Sequence, residues 1–428
     1  MKFTGTGGQD VFNGTDEADK INGLGGNDIL HGGGGVDTIN GGVGNDSIGG
    51  GIGYDVLDGG AGVDLYDLTE FTSLDGAVID LAAGTYTDGG GTEVVLNFED
   101  VLGTGGGQTI LGSSADNVLD GGTGADRLDG RDGDDTISGG GAVFDDTLSG
   151  GLGHNVLDGE FGFDVTSYAD VTSAVTVDLA AGTASFTGAS DVLISIEAVE
   201  GSAFNDIITG DDNDNELSGG EGDNTIEGGG GNDTLTGGKG ADHITDDDGA
   251  VVLSGGGADV VSVGGASHID GQGGSDLLFG SNENDTIFGG SGQDRIFGFG
   301  SADQIFGGEG NDTIVGGVGS DTIEGGAGKD TFAFETVEQS NDTFTDLIDD
   351  LANDDRIDLS AIDANVNKDG DQAFKLVAEF THHAGQAVLS YAADFDTTFL
   401  SADVDGDGVA DLTVQIDGEH TDFINFAL

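Results

Sequence analysis

A nine-residue frame that opens at Gly5 and runs unbroken through Asp67 constrains this chain more than any other feature. Seven nonads fit it without a gap, and their sixth position is aspartate every time: Asp10, Asp19, Asp28, Asp37, Asp46, Asp55 and Asp64. Their eighth position is large and mostly aliphatic, namely Phe12, Ile21, Leu30, Ile39, Ile48, Leu57 and Tyr66. A second array runs from Gly103 to Ser167, with Asp126, Asp135, Asp146 and Asp164 in the sixth position, Asn117 and Asn155 substituting, and a two-residue insertion near Ala142 and Val143. A third starts at Gly201 with Asp206, Asp233 and Asp242 and decays between Asp246 and Asp270. The frame recovers from Gly271 to Ala333, marked by Asp276, Asp285, Asp294, Asp303, Asp312, Asp321 and Asp330. Self-similarity at a short fixed period is the signature of a solenoid.

The spacing has a physical reason. Glycines permit left-handed and close-approach backbone conformations, so a six-residue turn can offer its carbonyl oxygens inward. Three residues remain for a strand, and alternation across it points position eight into the roll and positions seven and nine outward. Two nonads then complete one coil, with a strand on each side and a turn at each end. The expected fold is all-β: a parallel β-roll in several arrays, with a small β-rich C-terminal capping domain. Turns two nonads apart stack, and their aspartates and carbonyls form an oxygen-only cage. Hard oxygen ligands in flexible geometry favour Ca²⁺ over zinc or transition metals, so the sixth-position aspartates are the expected metal ligands.

Composition bears on the partners. The 428 residues include ten basic and eighty-two acidic side chains, a formal net charge of -72. Nucleic acid and anionic membranes are poor partners for such a chain. Its self-repulsion opposes compaction unless a multivalent cation sits among the carboxylates. Eighty-seven glycines raise the entropic cost of ordering the backbone. The absence of cysteine excludes disulfides, thiolate zinc sites and cysteine nucleophiles, and the absence of proline removes slow isomerisation from folding. No apolar leader follows Met1 and no stretch has transmembrane length, so a secreted chain needs another export signal.

The nonads resemble the G-G-x-G-x-D-x-U-x repeat of the RTX, or repeat-in-toxin, family over most of residues 5 to 333. The resemblance implies a roll that binds several Ca²⁺ ions and folds on binding them after export. It divides the chain into a first array at 1–67, a divergent β spacer at 68–102, a second array at 103–167, a related spacer at 168–200, a third array at 201–333, irregular at 246–270, and a terminal region at 334–428. The two spacers share Val78-Ile79-Asp80-Leu81-Ala82-Ala83-Gly84-Thr85 with Val177-Asp178-Leu179-Ala180-Ala181-Gly182-Thr183, and Phe98-Glu99-Asp100-Val101 with Ile196-Glu197-Ala198-Val199, at one constant offset. Their alternation suggests strands with a turn at Ala-Gly-Thr, in wider coils or structural spacers.

In the terminal region, Asp355-Arg356-Ile357-Asp358-Leu359-Ser360, the stretch from Thr381 to Tyr391 and Gly408-Val409-Ala410-Asp411-Leu412 resemble the C-terminal domain of serralysin-type metalloproteases. The end, Asp422-Phe423-Ile424-Asn425-Phe426-Ala427-Leu428, is similar to the uncleaved signal of type I secretion substrates. That implies the type I secretion machinery as a partner during export, a secreted or cell-surface location and a Gram-negative source. Asp403, Asp405, Asp407 and Asp411 have the spacing of the start of an EF-hand loop, with Val414 where its twelfth residue would be Glu. A calcium site and a solvated hairpin turn are the two readings of that loop.

The chain holds no His-Glu-x-x-His, Gly-x-Ser-x-Gly or Walker sequence. RTX enzymes carry a catalytic domain ahead of their repeats, and the first nonad at Gly5 leaves no room for one if Met1 is the natural start. The expectation is a non-enzymatic structural protein, S-layer-like, matrix or adhesive; the alternative is the calcium-binding C-terminal module of a secreted enzyme lacking its catalytic domain. Phe279, Phe288, Phe297 and Phe306 occupy the outward ninth position. The two-nonad coil sorts them onto opposite faces as Phe279/Phe297 and Phe288/Phe306, candidate surfaces for self-association.

Overall fold

The computed structural model describes every residue except 142, 342, 344 and 369–371, so the inserted Ala142 lies outside the described residues. The described residues form strands and turns with no helix. They make two compact units, Met1–Ala203 and Phe204–Leu428.

In the first unit, strand Val11–Thr15 pairs in parallel with Ile29–Gly33, which pairs with Ser47–Gly49 and then Leu65–Asp67. The opposite sheet takes Lys20–Gly25, Thr38–Val43 and Val56–Ala61. Each step places Phe12 beside Leu30 and Ile21 beside Ile39, so successive nonads alternate between sheets and two nonads make a coil, as the period predicts. Position eight fills the space between the sheets: Leu30, Ile48 and Leu57 are fully buried. Burying each such side chain stabilises by about 1.5–3 kcal/mol. One core side chain per nonad is a thin core for so many glycines, and the turns must contribute as well.

Both spacers are wider coils. In the first, Val78–Asp80 turns back antiparallel onto Thr85–Thr87, which pairs antiparallel with Thr92–Leu96. The outer two strands rejoin the parallel sheet, Val94 beside Val56 and Thr109 beside Val78. In the second, Thr176–Asp178, Thr183–Phe186 and Ala189–Ile194 repeat this in the opposite sheet, with Val156 beside Val192. Each insertion adds two strands and returns the chain to the parallel register, Asp100 beside Leu65 and Ala198 beside Val165.

In the second unit the strands continue through 246–270, where the nonad frame decays. His243–Asp246 pairs with Val260–Val263, and Val251–Gly257 with His268–Asp270. The coil there is shorter by one residue, so the ladder contacts step by 17 rather than 18. The terminal region then extends both sheets. Asp346–Ile348 adds beside Thr322–Gly328 and Arg356–Asp358 beside Thr331–Ala333. An antiparallel meander of Gln386–Ala392, Thr397–Asp403 and Leu412–Asp417 joins one sheet, and Phe426–Ala427 pairs with Arg356–Asp358 in the other.

Candidate metal centre

Where the second and fourth turn residues are both glycine, the second is left-handed and the fourth is too in most turns, as at Gly42 (φ 118°) and Gly44 (φ 134°), with Gly53, Gly62, Gly257 and Gly319 the exceptions at the fourth. The second position keeps that conformation even where a side chain replaces glycine, at Leu24, Gln272 and Phe299. Left-handed residues at these two positions curl the peptide planes so that carbonyls can face the interior of the turn. The first glycine meets a different demand: a Cβ on Gly307 would lie 2.5 Å from the carbonyl oxygen of Gly325 and 2.8 Å from Asp312 Oδ2.

The aspartates form a column. In most of them Oδ1 accepts the backbone N–H of the ladder residue one coil earlier: Asp28 from Asp10 at 2.8 Å, Asp46 from Asp28 at 2.8 Å, Asp312 from Asp294 at 2.9 Å and Asp330 from Asp312 at 2.9 Å, whereas Asp19 Oδ1 takes the N-terminal amino group of Met1. Oδ2 is left over. In Asp28, Asp37, Asp46, Asp55, Asp64, Asp126, Asp135, Asp164, Asp233, Asp242, Asp276, Asp294, Asp303, Asp312, Asp321 and Asp330 it is buried with no hydrogen-bond partner. In Asp28, Asp37, Asp46, Asp126, Asp276, Asp294, Asp303 and Asp312 it lies beside the carbonyl of the first glycine in the next stacked turn, and in Asp64, Asp164 and Asp242 beside the carbonyl of Asn97, Ser195 or Ser254, so two acceptors confront one another with no N–H or O–H donor of the chain between them. Such an arrangement is costly unless a cation joins them. Burial raises several of these carboxyls, Asp64 to about 6, Asp126 and Asp276 to about 7 and Asp303 to about 8. Orphaned carboxylate oxygens beside glycine carbonyls are an all-oxygen donor set, which fits Ca²⁺.

Three of the predicted ligands are arranged differently. Thr6, Thr15 and Ser281 stand at the second turn position without a left-handed backbone, and their N–H groups donate to Oδ2 of Asp10, Asp19 and Asp285 at 2.6, 2.7 and 2.6 Å. Those turns satisfy their own carboxylate. Asp146 accepts the N–H of Asp126 across the widened coil, a step of 20 residues, and Asp206 donates its N–H to Asn224 Oδ1.

Further acids extend the columns. Asp242 donates its N–H to Asp259, which donates to Asp276, and Asp259 Oδ2 is another buried orphan. In the wider coils Glu99 accepts from Asp64 N–H and Glu197 from Asp164 N–H, both at 2.9 Å. Glu93 accepts the Tyr66 hydroxyl at 2.6 Å, and burial holds its carboxyl up at about 7. Asp191 accepts from Asn155. At the end of the last array, Asp346 and Asp355 accept the N–H groups of Asp321 and Asp330, each at 3.0 Å. The constant offset between the spacers, which relates Glu93 to Asp191 and Glu99 to Glu197, is the sequence signal for those four.

In the terminal loop, carboxylate oxygens of Asp403, Asp405 and Asp411 converge within 4.8 Å of one another, and Asp407 stands outside that group. Asp403 is buried and accepts the N–H groups of Gly406 and Gly408 at 2.6 and 3.0 Å; Asp407 accepts from Val409 at 2.7 Å.

A parallel roll of two strands per coil, with buried aspartate columns in its turns, defines a calcium-binding repeat protein. The chain matches the RTX calcium-binding nonapeptide repeat at residues 4–39, 31–66, 111–142, 141–165, 200–235, 236–267, 270–298 and 297–332. These spans take in more than half of its length, and the chain belongs to that family. No curated protein matches it. Solved structures similar to it include the AlgE6R3 subunit from the Azotobacter vinelandii mannuronan C5-epimerase, 31% identical, with a TM-score of 0.26 over 36% of this chain and 78% of that one. Another is the extracellular lipase LipA from Serratia marcescens, 16% identical, with a TM-score of 0.16 over 77% of this chain and 41% of that one.

Proposed function

We propose that this chain is a secreted structural protein whose roll forms when Ca²⁺ enters its turns outside the cell, and which then self-associates in a cell-surface or matrix layer. The calcium part rests on one observation: the buried Oδ2 atoms without a hydrogen-bond partner, most of them beside backbone carbonyls of the next stacked turn. In this reading the ligands are the sixth-position aspartates with orphaned Oδ2, joined by Asp259. Because each site exists only in the folded roll, binding is folding energy, about 2.7 kcal/mol per ion at 100 times its Kd. Many sites in series then decide between a repelling polyanion and a compact roll.

Export by the type I route accounts for folding that waits for calcium. Phe426–Ala427 is paired into a sheet and Phe423 is buried, while Ile424 stays exposed, so folding takes up part of the terminal signal. Association is supported by two aromatic strips. Phe288 and Phe306 stack at 4.7 Å with planes 8° apart on one sheet. On the other, Phe279 and Phe297 stack at 5.2 Å beside Phe299, which is 48% exposed. Half-exposed aromatic strips are favourable contact surfaces.

Far-UV circular dichroism tests the calcium reading: β signal is expected in excess Ca²⁺ and a coil spectrum in excess EGTA, and identical spectra would refute it. Electron microscopy and light scattering test assembly. Calcium is expected to produce sheets, filaments or larger particles, and the Phe288→Ser, Phe306→Ser double variant is expected to lose them while keeping its β spectrum. Unchanged assembly in that variant would exclude this aromatic face.

A further inference from the structure

The geometry points to a second class of turn: where Gln108, Asn155 and Asn224 replace the sixth-position aspartate, the side-chain NH₂ stands in the cation's place and the turn takes no metal. This rests on the reading of the aspartate turns as calcium sites, and it identifies which turns of the roll are excluded from them. Asn117 and Asn215 turn Oδ1 onto the N–H of Ser113 and Asp211 in their own turns and are not of this class.

Turn 219–224 has the backbone of an aspartate turn, with Gly220 and Gly222 left-handed at φ 90° and 102°. Asn224 Oδ1 accepts the N–H of Asp206 at 2.9 Å, the bond that Oδ1 makes in most aspartates of the columns. That bond fixes the orientation of the amide, and Nδ2 falls where the orphaned Oδ2 falls elsewhere. Nδ2 donates to the carbonyls of Gly222 at 3.2 Å and Gly237 at 3.4 Å. Gly237 is the first glycine of the next stacked turn, the carbonyl that an aspartate would confront without a proton. Here the two coils are joined by hydrogen bonds.

Two more turns carry their own donor. Turn 150–155 has Gly151 and Gly153 left-handed at φ 72° and 147°; Asn155 Oδ1 accepts from Asp135 N–H at 2.9 Å, and Nδ2 donates to Asp191 Oδ1 at 2.8 Å. Gln108 reaches further into its turn: Nε2 donates to the carbonyls of Thr104 and Gly105 at 3.3 Å each, and to that of Gly106. Three carbonyls converging on one nitrogen show that such a turn presents a cation-like hole, and in this case it is filled by the chain itself. Gln108 follows the first wide coil and Asn155 precedes the second. Both spacers are thereby bordered by a coil whose turn closes without calcium.

The test uses the full chain and Ca²⁺ alone, with native mass spectrometry counting bound ions and circular dichroism at saturating calcium checking the fold. Asn224→Asp is expected to carry one more ion than the wild type, and Asp294→Asn one fewer. If Asn224→Asp gains none while Asp294→Asn loses one, the amide is not what excludes the metal and the inference fails. If Asp294→Asn keeps the full count, the calcium reading of the turns fails instead. Asn155→Asp makes the same test at a second turn should Asn224→Asp not reach the wild-type spectrum; no added ion there overturns the inference equally.

Discussion

Gly307→Ala separates a metal-binding turn from a merely tight one. The new Cβ would sit 2.5 Å from Gly325 O and 2.8 Å from Asp312 Oδ2, at the point on which both oxygens converge. Gly307 is not left-handed, so the added methyl brings no conformational penalty of that kind. Its effect is to displace the ligands. Loss of one ion at 100 times its Kd removes about 2.7 kcal/mol. In a unit of this size, a loss of 1 kcal/mol lowers Tm by about 2–4 °C, so a fall of roughly 5–11 °C is expected in saturating calcium. The slope is more diagnostic than the shift. Each ion adds about 1.4 kcal/mol of stability per decade of free calcium, and the variant should lose that increment from its plot of stability against log calcium. The control is Gly300→Ala, at the third position of its turn, where the nearest atom to a new Cβ is Asn282 Oδ1 at 3.3 Å. Urea unfolding by circular dichroism at several buffered calcium concentrations measures both. A Gly307→Ala line lying below the wild type but parallel to it would refute the argument, because the damage would then be steric and the turn would hold no ion.

Three further outcomes follow from the same structure. Ile305→Ala empties a fully buried position between Ile287 and Ile323 and is expected to cost about 2–5 kcal/mol in calcium, read by urea unfolding. Tyr66→Phe leaves the buried Glu93 carboxylate without its hydroxyl donor, for a loss of about 1–3 kcal/mol by the same assay. The raised carboxyls, from about 6 at Asp64 to about 8 at Asp303, bind protons in the roll at a pH where the unfolded chain has released them. Without calcium, stability therefore falls as pH rises from about 4 to 8, and the β signal in EGTA should be larger at pH 5 than at pH 8. Calcium uptake near neutral pH should release protons, which titration calorimetry in buffers of different ionisation enthalpy detects.

The period alone made the coil legible, because a solenoid repeats the same demands every nine residues: Asp in the column, an aliphatic at the eighth position, glycine where the turn curls. Residues that escaped did so where the period broke. Asp259 heads a column position, but the coil before it is one residue short and the frame no longer points to it. Glu93, Glu99, Asp191 and Glu197 sit in inserts whose kinship was visible while the use of their acids was not, since nothing in an isolated Glu says which N–H it will meet. Asp10, Asp19 and Asp285 share residue type and frame position with their neighbours, yet a Ser or Thr four residues earlier turns each carboxylate onto its own loop. Sequence registers position; the partner of a carboxylate oxygen depends on the backbone around it.

The columns also give the roll a direction. Along the columns a ladder N–H is satisfied by a carboxylate, or at Asn155 and Asn224 an amide oxygen, that arrives one coil later, so a coil is incomplete until its successor is in place. The last donors, on Asp321 and Asp330, are met only by Asp346 and Asp355 of the terminal region. A chain cut between Asp330 and Asp346 would end in two open strands and a row of unanswered donors, a surface ready to capture whatever edge it meets. In that sense the terminal region answers a demand that the last two coils cannot meet by themselves.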